Sequence, residues 1–211
     1  MEENAYSPTP LPVPPPPGLY LIFGPSDLVP RMLEVVTRGM ACEANVLWVD
    51  ATNTFDAHRV AVLARSINKN PYEVLRSFRI ARPFTAYQLE AMVSEKLLPA
   101  LRQSKGLFSV ITDPLPLYEE ARKQDRYWQK SYSRWISSLK ELSRESAVLV
   151  LISSFCFRKN FYAPLIQNAT RLLRLVDSKE GPRLVSFSAF REIPSPNRIA
   201  KKGQALSWDA H

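Results

Sequence analysis

The chain has 211 residues, 45% of them hydrophobic, with 28 Lys+Arg against 20 Asp+Glu for a net charge of +8. That is enough apolar material for one sizeable core in one domain. No apolar run approaches the ~20 residues of a membrane span, and Glu2, Glu3 and a proline-rich stretch replace the basic segment and apolar core of a signal peptide. Cys42 and Cys156 are unclustered, which favours buried thiols in a reducing compartment over a disulfide or a metal site. The expected location is the cytoplasm, or the nucleus if the source is eukaryotic. The charge is uneven. Residues 1–121 carry 11 Lys+Arg and 13 Asp+Glu, residues 122–211 carry 17 and 7. A basic second half points to an anionic partner, nucleic acid before membrane.

Residues 1–17, with Pro12 and the run Pro14–Pro17, read as a stiff polyproline-type arm outside the core. A core follows over residues 18–192, and residues 193–211, with Lys201 and Lys202, read as a loose basic tail. Leu19–Phe23 is an apolar strand. Leu28, Met32, Val35 and Val36 recur at helical spacing over 28–40. Val46–Val49 is a short strand ending in Asp50, and His58–Ile67 is a helix. Asn70-Pro71 opens another short helix, with proline at its first position. Phe78–Ala81 is a strand, and Thr85–Arg102 a long helix that Pro99 should bend or end. Leu107–Thr112 is a strand closed by Asp113. Trp128, Trp135, Leu139 and Leu142 stripe a helix over 125–146, and Ala147–Ser153 is a fully apolar strand. Arg171–Val176 and Arg183–Phe190 alternate basic and apolar residues, as a terminal hairpin does. Strands buried on both sides and alternating with helices predict an α/β fold with a mainly parallel sheet and a C-terminal antiparallel hairpin.

The junction between the first strand and the first helix has the context of a phosphate-binding loop but not its residues. Counting G-x-x-x-x-G-K-[ST] from Gly24, the second glycine falls on Val29, the lysine on Pro30 and the hydroxyl residue on Arg31. Val29 disfavours positive φ. Pro30 has neither a backbone N–H nor an ammonium group. Arg31 has no hydroxyl for a magnesium ion, although its guanidinium could reach a phosphate if the loop were shifted by a residue.

Further motifs follow in order: Val-Leu-Trp-Val-Asp50-Ala-Thr-Asn-Thr-Phe55, Asn70-Pro71-Tyr-Glu-Val-Leu75, Ala81-Arg82-Pro-Phe84, and the strand Phe108-Ser-Val-Ile-Thr-Asp113. This series resembles the core of the RecA/RadA recombinase family, and more specifically its RadA-type paralogs, over residues 18–190. The resemblance implies a RecA-like fold, with Asp113 as the Walker B acid. It places the family's catalytic glutamate on Thr52 and the adjacent glycine on Asn53. With Pro30, Arg31 and Thr52 at those positions it implies a pseudo-ATPase with no cofactor, since phosphoryl transfer depends on the missing groups for positioning and charge. Asp113 then has a plainer reading as an acid at a strand end.

The family's DNA-binding loops fall on Pro114–Tyr127 and Ser154–Ala163. The second carries Phe157, Arg158, Lys159, Phe161 and Tyr162: cations for a backbone and flat rings for base stacking, or aromatics packing the segment onto the core. In the first loop only the half with Arg126 suits DNA, and Lys201 and Lys202 would add phosphate contacts. The resemblance thus implies a non-catalytic paralog that binds single-stranded DNA and a RecA/RadA-type recombinase or another accessory paralog, as a homo- or hetero-oligomer, in recombination and repair. Tyr127, Tyr132 and Arg134 lie off the tryptophan stripe, available to a partner subunit. Two alternatives are a structural RecA-fold subunit of an RNA-handling assembly, similar to those of the Elongator complex, and a weak ATPase with an unusual loop.

Overall fold

The computed structural model describes residues 15–39, 45–103, 107–153, 159–176 and 182–186. Strand β1 (Gly18–Phe23) leads into α1 (Leu28–Gly39), β2 (Asn45–Asp50), α2 (Ala57–Ser66), α3 (Pro71–Arg76) and β3 (Phe78–Ala81). Helix α4 (Ala86–Ala91), a π-helical segment (Met92–Leu97) and α5 (Leu98–Gln103) follow without a break, then β4 (Leu107–Thr112). Helices α6 (Leu115–Gln124) and α7 (Trp128–Glu145) precede β5 (Ala147–Ile152), and α8 (Lys159–Asn168) precedes β6 (Arg171–Val176) and β7 (Arg183–Ser186).

The seven strands form one sheet in the order β3-β2-β4-β5-β1-β6-β7. Every pairing is parallel except β6 with β7. The expected α/β architecture and C-terminal hairpin are therefore present. Residues beyond Ser186 in the second hairpin strand lie outside the described residues. Strand β1 is wholly buried, and its period of two divides it between two cores. Leu19, Leu21 and Phe23 point to one face, Tyr20 and Ile22 to the other. Strand β5 does the same, with Val148, Val150 and Ile152 opposite Ala147, Leu149 and Leu151.

The helices divide along the same line. Connections running toward β3 (α1, α2 and α3) pack on the Tyr20 face, and those running back (α4, α5, α6, α7 and α8) on the Leu19 face. A right-handed crossover rule demands this separation. Strands β1 and β2 thus send their connections to the face opposite those of their neighbours β5 and β4. Such reversals open crevices at the carboxyl ends of parallel strands, here at β1/β5 and β2/β4.

The long helix spans 86–103, and Pro99 sits near its end, one of the two expected outcomes. Proline cannot donate to the carbonyl one turn back, and the π-helical turn Met92–Leu97 lies just before it. Two expectations are corrected. The segment Pro114–Tyr127 is not a loop, because Leu115, Tyr118 and Ala121 bury one face of α6 and leave only Asp125–Tyr127 between helices. Tyr132 is not on the surface. It is buried, with ring centroids 4.8 Å from Tyr118 and 5.6 Å from Trp135, and its hydroxyl donates to the Phe161 carbonyl. At the other end of the core, the Tyr20 hydroxyl donates to the Pro16 carbonyl at 3.0 Å, tying the last residues of the arm to β1. Among the described residues no helix is long and apolar enough to cross a membrane. Cys42 and Cys156 lie outside the described residues.

Candidate functional site

The residues singled out by the degenerate motifs gather at the carboxyl edge of the sheet. Between β1 and α1 the loop is four residues long, Gly24 to Asp27. It closes as a turn, with Leu28 N–H donating to the Pro25 carbonyl at 2.9 Å. Leu28 is fully buried, and a Cβ on Gly24 would lie 2.8 Å from Leu28 Cδ1. The glycine is required here by close approach of Leu28, not by positive φ. Arg31 Nε meets Asp27 Oδ2 at 2.7 Å one helical turn away. A carboxylate thus holds the guanidinium that a one-residue shift of the loop would bring to a phosphate, and Pro30 contributes no N–H.

At the β2/β4 crevice Asp50 is buried and fully engaged. Its carboxylate accepts from the backbone N–H groups of Thr54 and Phe55, each at 3.0 Å, and from Arg82 Nε at 3.3 Å. These bonds fold residues 51–55 back onto the strand end. Asn53 adopts φ 54° at the position where the resemblance implies a glycine. Asparagine tolerates this left-handed conformation better than other residues with a Cβ. Thr52 lies in a hydroxyl chain, 2.8 Å from Thr54 Oγ1 and 3.2 Å from Thr112 Oγ1. The chain can relay hydrogen bonds but offers no carboxylate at Thr52 to orient a water.

Asp113, also buried, has φ 36°. Its carboxylate accepts from Ser153 N–H at 2.6 Å and from the Ser153 hydroxyl. Burial pushes its carboxyl above the usual range, and the two Ser153 bonds pull the other way. Among the described residues no group of three or more His, Cys, Asp or Glu side chains is placed to hold a metal.

The residues expected to meet nucleic acid separate. Phe161 is 1% exposed, with its centroid 5.2 Å from Trp128 and 5.6 Å from Tyr132, so it has no face for a base. Tyr162 is half-buried against the same core. Lys159 begins α8, and Phe157, Arg158, Lys201 and Lys202 lie outside the described residues. Along α6, Arg122 pairs with Glu119 at 2.7 Å and Lys123 with Glu120 at 3.0 Å. Arg134, expected at a partner, sits 3.4 Å from Glu90.

Arg126 does belong to a surface cluster. Its guanidinium lies 5.0 Å from the Tyr127 ring centroid and donates to the Tyr127 hydroxyl at 2.9 Å. Asp125 accepts from Tyr127 N–H at 2.8 Å and from the Tyr87 hydroxyl at 2.6 Å. The Tyr87 bond is the main reason the Asp125 carboxyl lies below its usual range. Tyr127 is 57% exposed, Tyr87 40%, and Phe84, at the mouth of α4, 72%. Tyr87 and Phe84 were missed in the sequence because Tyr87 falls within the long-helix pattern. The available signal was an aromatic one residue before and two after the Thr85 cap.

A second feature lies at the β3 edge of the sheet. A cavity of about 210 Å³ opens between β2, β3 and the π-helical turn, floored by Leu47, Val49, Ala81, Met92 and Leu97. Arg79 and Lys96, both exposed, also line it. Strand β3 pairs only with β2, so its outer backbone edge has no strand beside it among the described residues.

No protein-family model matches the chain, and no curated protein matches it either.

Proposed function

We propose that this protein is a non-catalytic RecA/RadA-like paralog that binds single-stranded DNA and a recombinase partner. The observation that carries the reading is the state of the β1–α1 loop. It sits at a crevice where parallel α/β sheets bind ligands, Leu28 packs closely against its Gly24, and Arg31 is held by Asp27. The resemblance places the nucleotide there, and the same junction has Val29, Pro30 and Arg31 where the second glycine, the lysine and the hydroxyl residue would hold it. The left-handed Asn53 at the family's glycine position supports the RecA-like reading of the fold.

Nucleic-acid binding in this reading rests on the α6–α7 corner. Arg126 supplies charge, and Tyr127, Tyr87 and Phe84 supply exposed rings in place of the buried Phe161. Stacking on such rings is worth ~1–3 kcal/mol per base. The open β3 edge and the apolar cavity beside it would admit an extended partner segment, adding a strand by its backbone and an apolar side chain by its pocket.

The test is a titration of fluorescent single-stranded DNA at low and moderate salt, with and without Mg-ATP. Binding that ignores ATP, weakens with salt and falls in an Arg126→Ala/Tyr127→Ala variant is expected. No binding to DNA and no association with a purified recombinase would overturn the reading. Preference for folded RNA would move it to the RNA-handling alternative.

A further inference from the structure

We infer that the outer face of α2 and α3, built from Arg65, Lys69, Tyr72 and Arg76, is a second docking surface for a nucleic-acid backbone. It lies on the opposite face of the sheet from the α6–α7 corner, in the half of the chain whose summed charge is slightly negative.

That sum conceals a local excess. Residues 57–80 contain five Lys or Arg and one carboxylate, Glu73. The other acids nearby are occupied. Glu34 pairs with Arg38 at 3.0 Å and Arg59 at 3.8 Å. Asp56 caps α2 through Arg59 N–H, and Asp50 is buried in its own loop. Arg65, Lys69 and Arg76 are exposed, and among the described residues no carboxylate lies within ion-pair distance of them.

The turn between the two helices fixes their spacing. Asn68 takes φ 56°, its N–H bonds the Arg65 carbonyl at 3.0 Å, and Lys69 N–H bonds the Ala64 carbonyl at 2.9 Å. Asn70 then caps α3 by accepting from Tyr72 N–H at 3.0 Å. One turn on, the Arg76 guanidinium lies 5.5 Å from the Tyr72 ring centroid, and the ring is 65% exposed. Arg65 and Arg76 each occupy the last turn of a helix, where a cation complements the dipole. That accounts for neither Lys69 nor the exposed tyrosine.

The chemistry selects the ligand. Three unpaired cations on a fixed turn match spaced phosphates, and a ring with a stacked guanidinium offers a face to a base or sugar. A membrane-binding face needs a broad apolar stripe, and a protein interface needs an apolar centre. Val62 and Tyr72 are the large exposed apolar side chains on these two helices.

This inference rests on the nucleic-acid part of the proposed function and is independent of Arg126. The experiment measures affinity for a labelled single strand across a salt series, using the wild-type chain, an Arg65→Ala/Lys69→Ala/Arg76→Ala variant and the Arg126→Ala/Tyr127→Ala variant. Thermal melts check folding, and an Arg65→Lys/Arg76→Lys variant should keep the wild-type slope. Loss of three phosphate contacts should flatten the dependence of log K on log salt by about 2. A wild-type slope in the triple-alanine variant overturns the inference and leaves the proposed function standing. Flattening there with a silent Arg126/Tyr127 variant supports it and removes the corner. A wild-type chain that binds no nucleic acid ends both. Phosphatidylserine vesicles form the last arm. Vesicle binding lost in the triple variant, with DNA binding retained, assigns the face to membranes and overturns the inference.

Discussion

Asp113 and Ser153 fasten the carboxyl ends of β4 and β5 to each other, the carboxylate receiving both the backbone N–H and the hydroxyl of the serine. The acid that the resemblance would turn toward a metal is turned toward the neighbouring strand. Its burial raises its carboxyl above the ordinary range. A group raised on folding contributes stability below its unfolded value, about 4, and loses that contribution as pH rises through its folded value. Relative to an Asp113→Asn variant, the wild type should therefore lose stability as pH is raised through the acid range. Denaturant titrations at several pH values read this directly, and parallel curves would refute it. Asp113→Ala, which strands Ser153 N–H and places alanine at φ 36°, should cost ~1–3 kcal/mol.

Asp50 carries the 51–55 loop. Removing its buried carboxylate leaves the N–H groups of Thr54 and Phe55 and the Arg82 guanidinium without their acceptor. Asp50→Ala should lower stability by about 3 kcal/mol. Arg82→Ala should cost less, because the Arg82 side chain is partly exposed and Asp50 keeps its backbone donors. Equal losses in the two variants would contradict this ranking.

Restoring motif residues should not restore nucleotide binding. A Pro30→Lys/Arg31→Thr variant keeps Leu28 packed against Gly24, and its binding of a fluorescent ATP analogue should match that of the wild type. In the same loop Gly24→Ala forces Leu28 to shift within a close-packed core, at a cost of ~1–3 kcal/mol. Binding gained by the double variant would show that the loop reopens readily.

Phe161 and Tyr127 should behave in opposite ways. Phe161→Ala opens a cavity against Trp128 and Tyr132 and should cost ~3–5 kcal/mol. DNA affinity measured below its lowered melting temperature should be unchanged. Tyr127→Ala should barely alter the melt and should weaken DNA binding about tenfold or more, the equivalent of one stacked base. A stable Phe161→Ala protein with weakened DNA binding would reverse the assignment.

The sequence made the layered fold legible because its strands are short, apolar and separated by periodic helices. Leu19–Phe23 and Ala147–Ile152 could be buried on both faces only within a parallel sheet. Helix α6 was hidden by Pro114, Pro116 and a run of charged residues, whose i,i+3 pairing gives no apolar periodicity. Phe161 stayed open between stacking and core packing because sequence supplies its type and its cationic neighbours, but not the direction of its ring. The Asp50–Arg82 and Asp113–Ser153 clasps join residues 32 and 40 positions apart, which local pattern cannot report. The basic face of α2 and α3 was lost by summing charge over half the chain, since a 24-residue window contains it.

Strand β1 is made first and completed last. Its hydrogen-bonding neighbours are β5 and β6, and its Leu19 N–H waits for Thr170, 151 residues further along. At ~5–20 residues per second of synthesis, a nascent chain would carry that unpaired apolar ribbon for roughly 8–30 s before its partners emerge. Pairings this distant slow folding and leave a bare strand open to the wrong neighbours. A fragment ending before Ala147 would contain the closed loop, the Asp50 clasp and both helices of the basic face, yet have nothing to hold β1 in register. The assembly of this fold is thus governed by its last third.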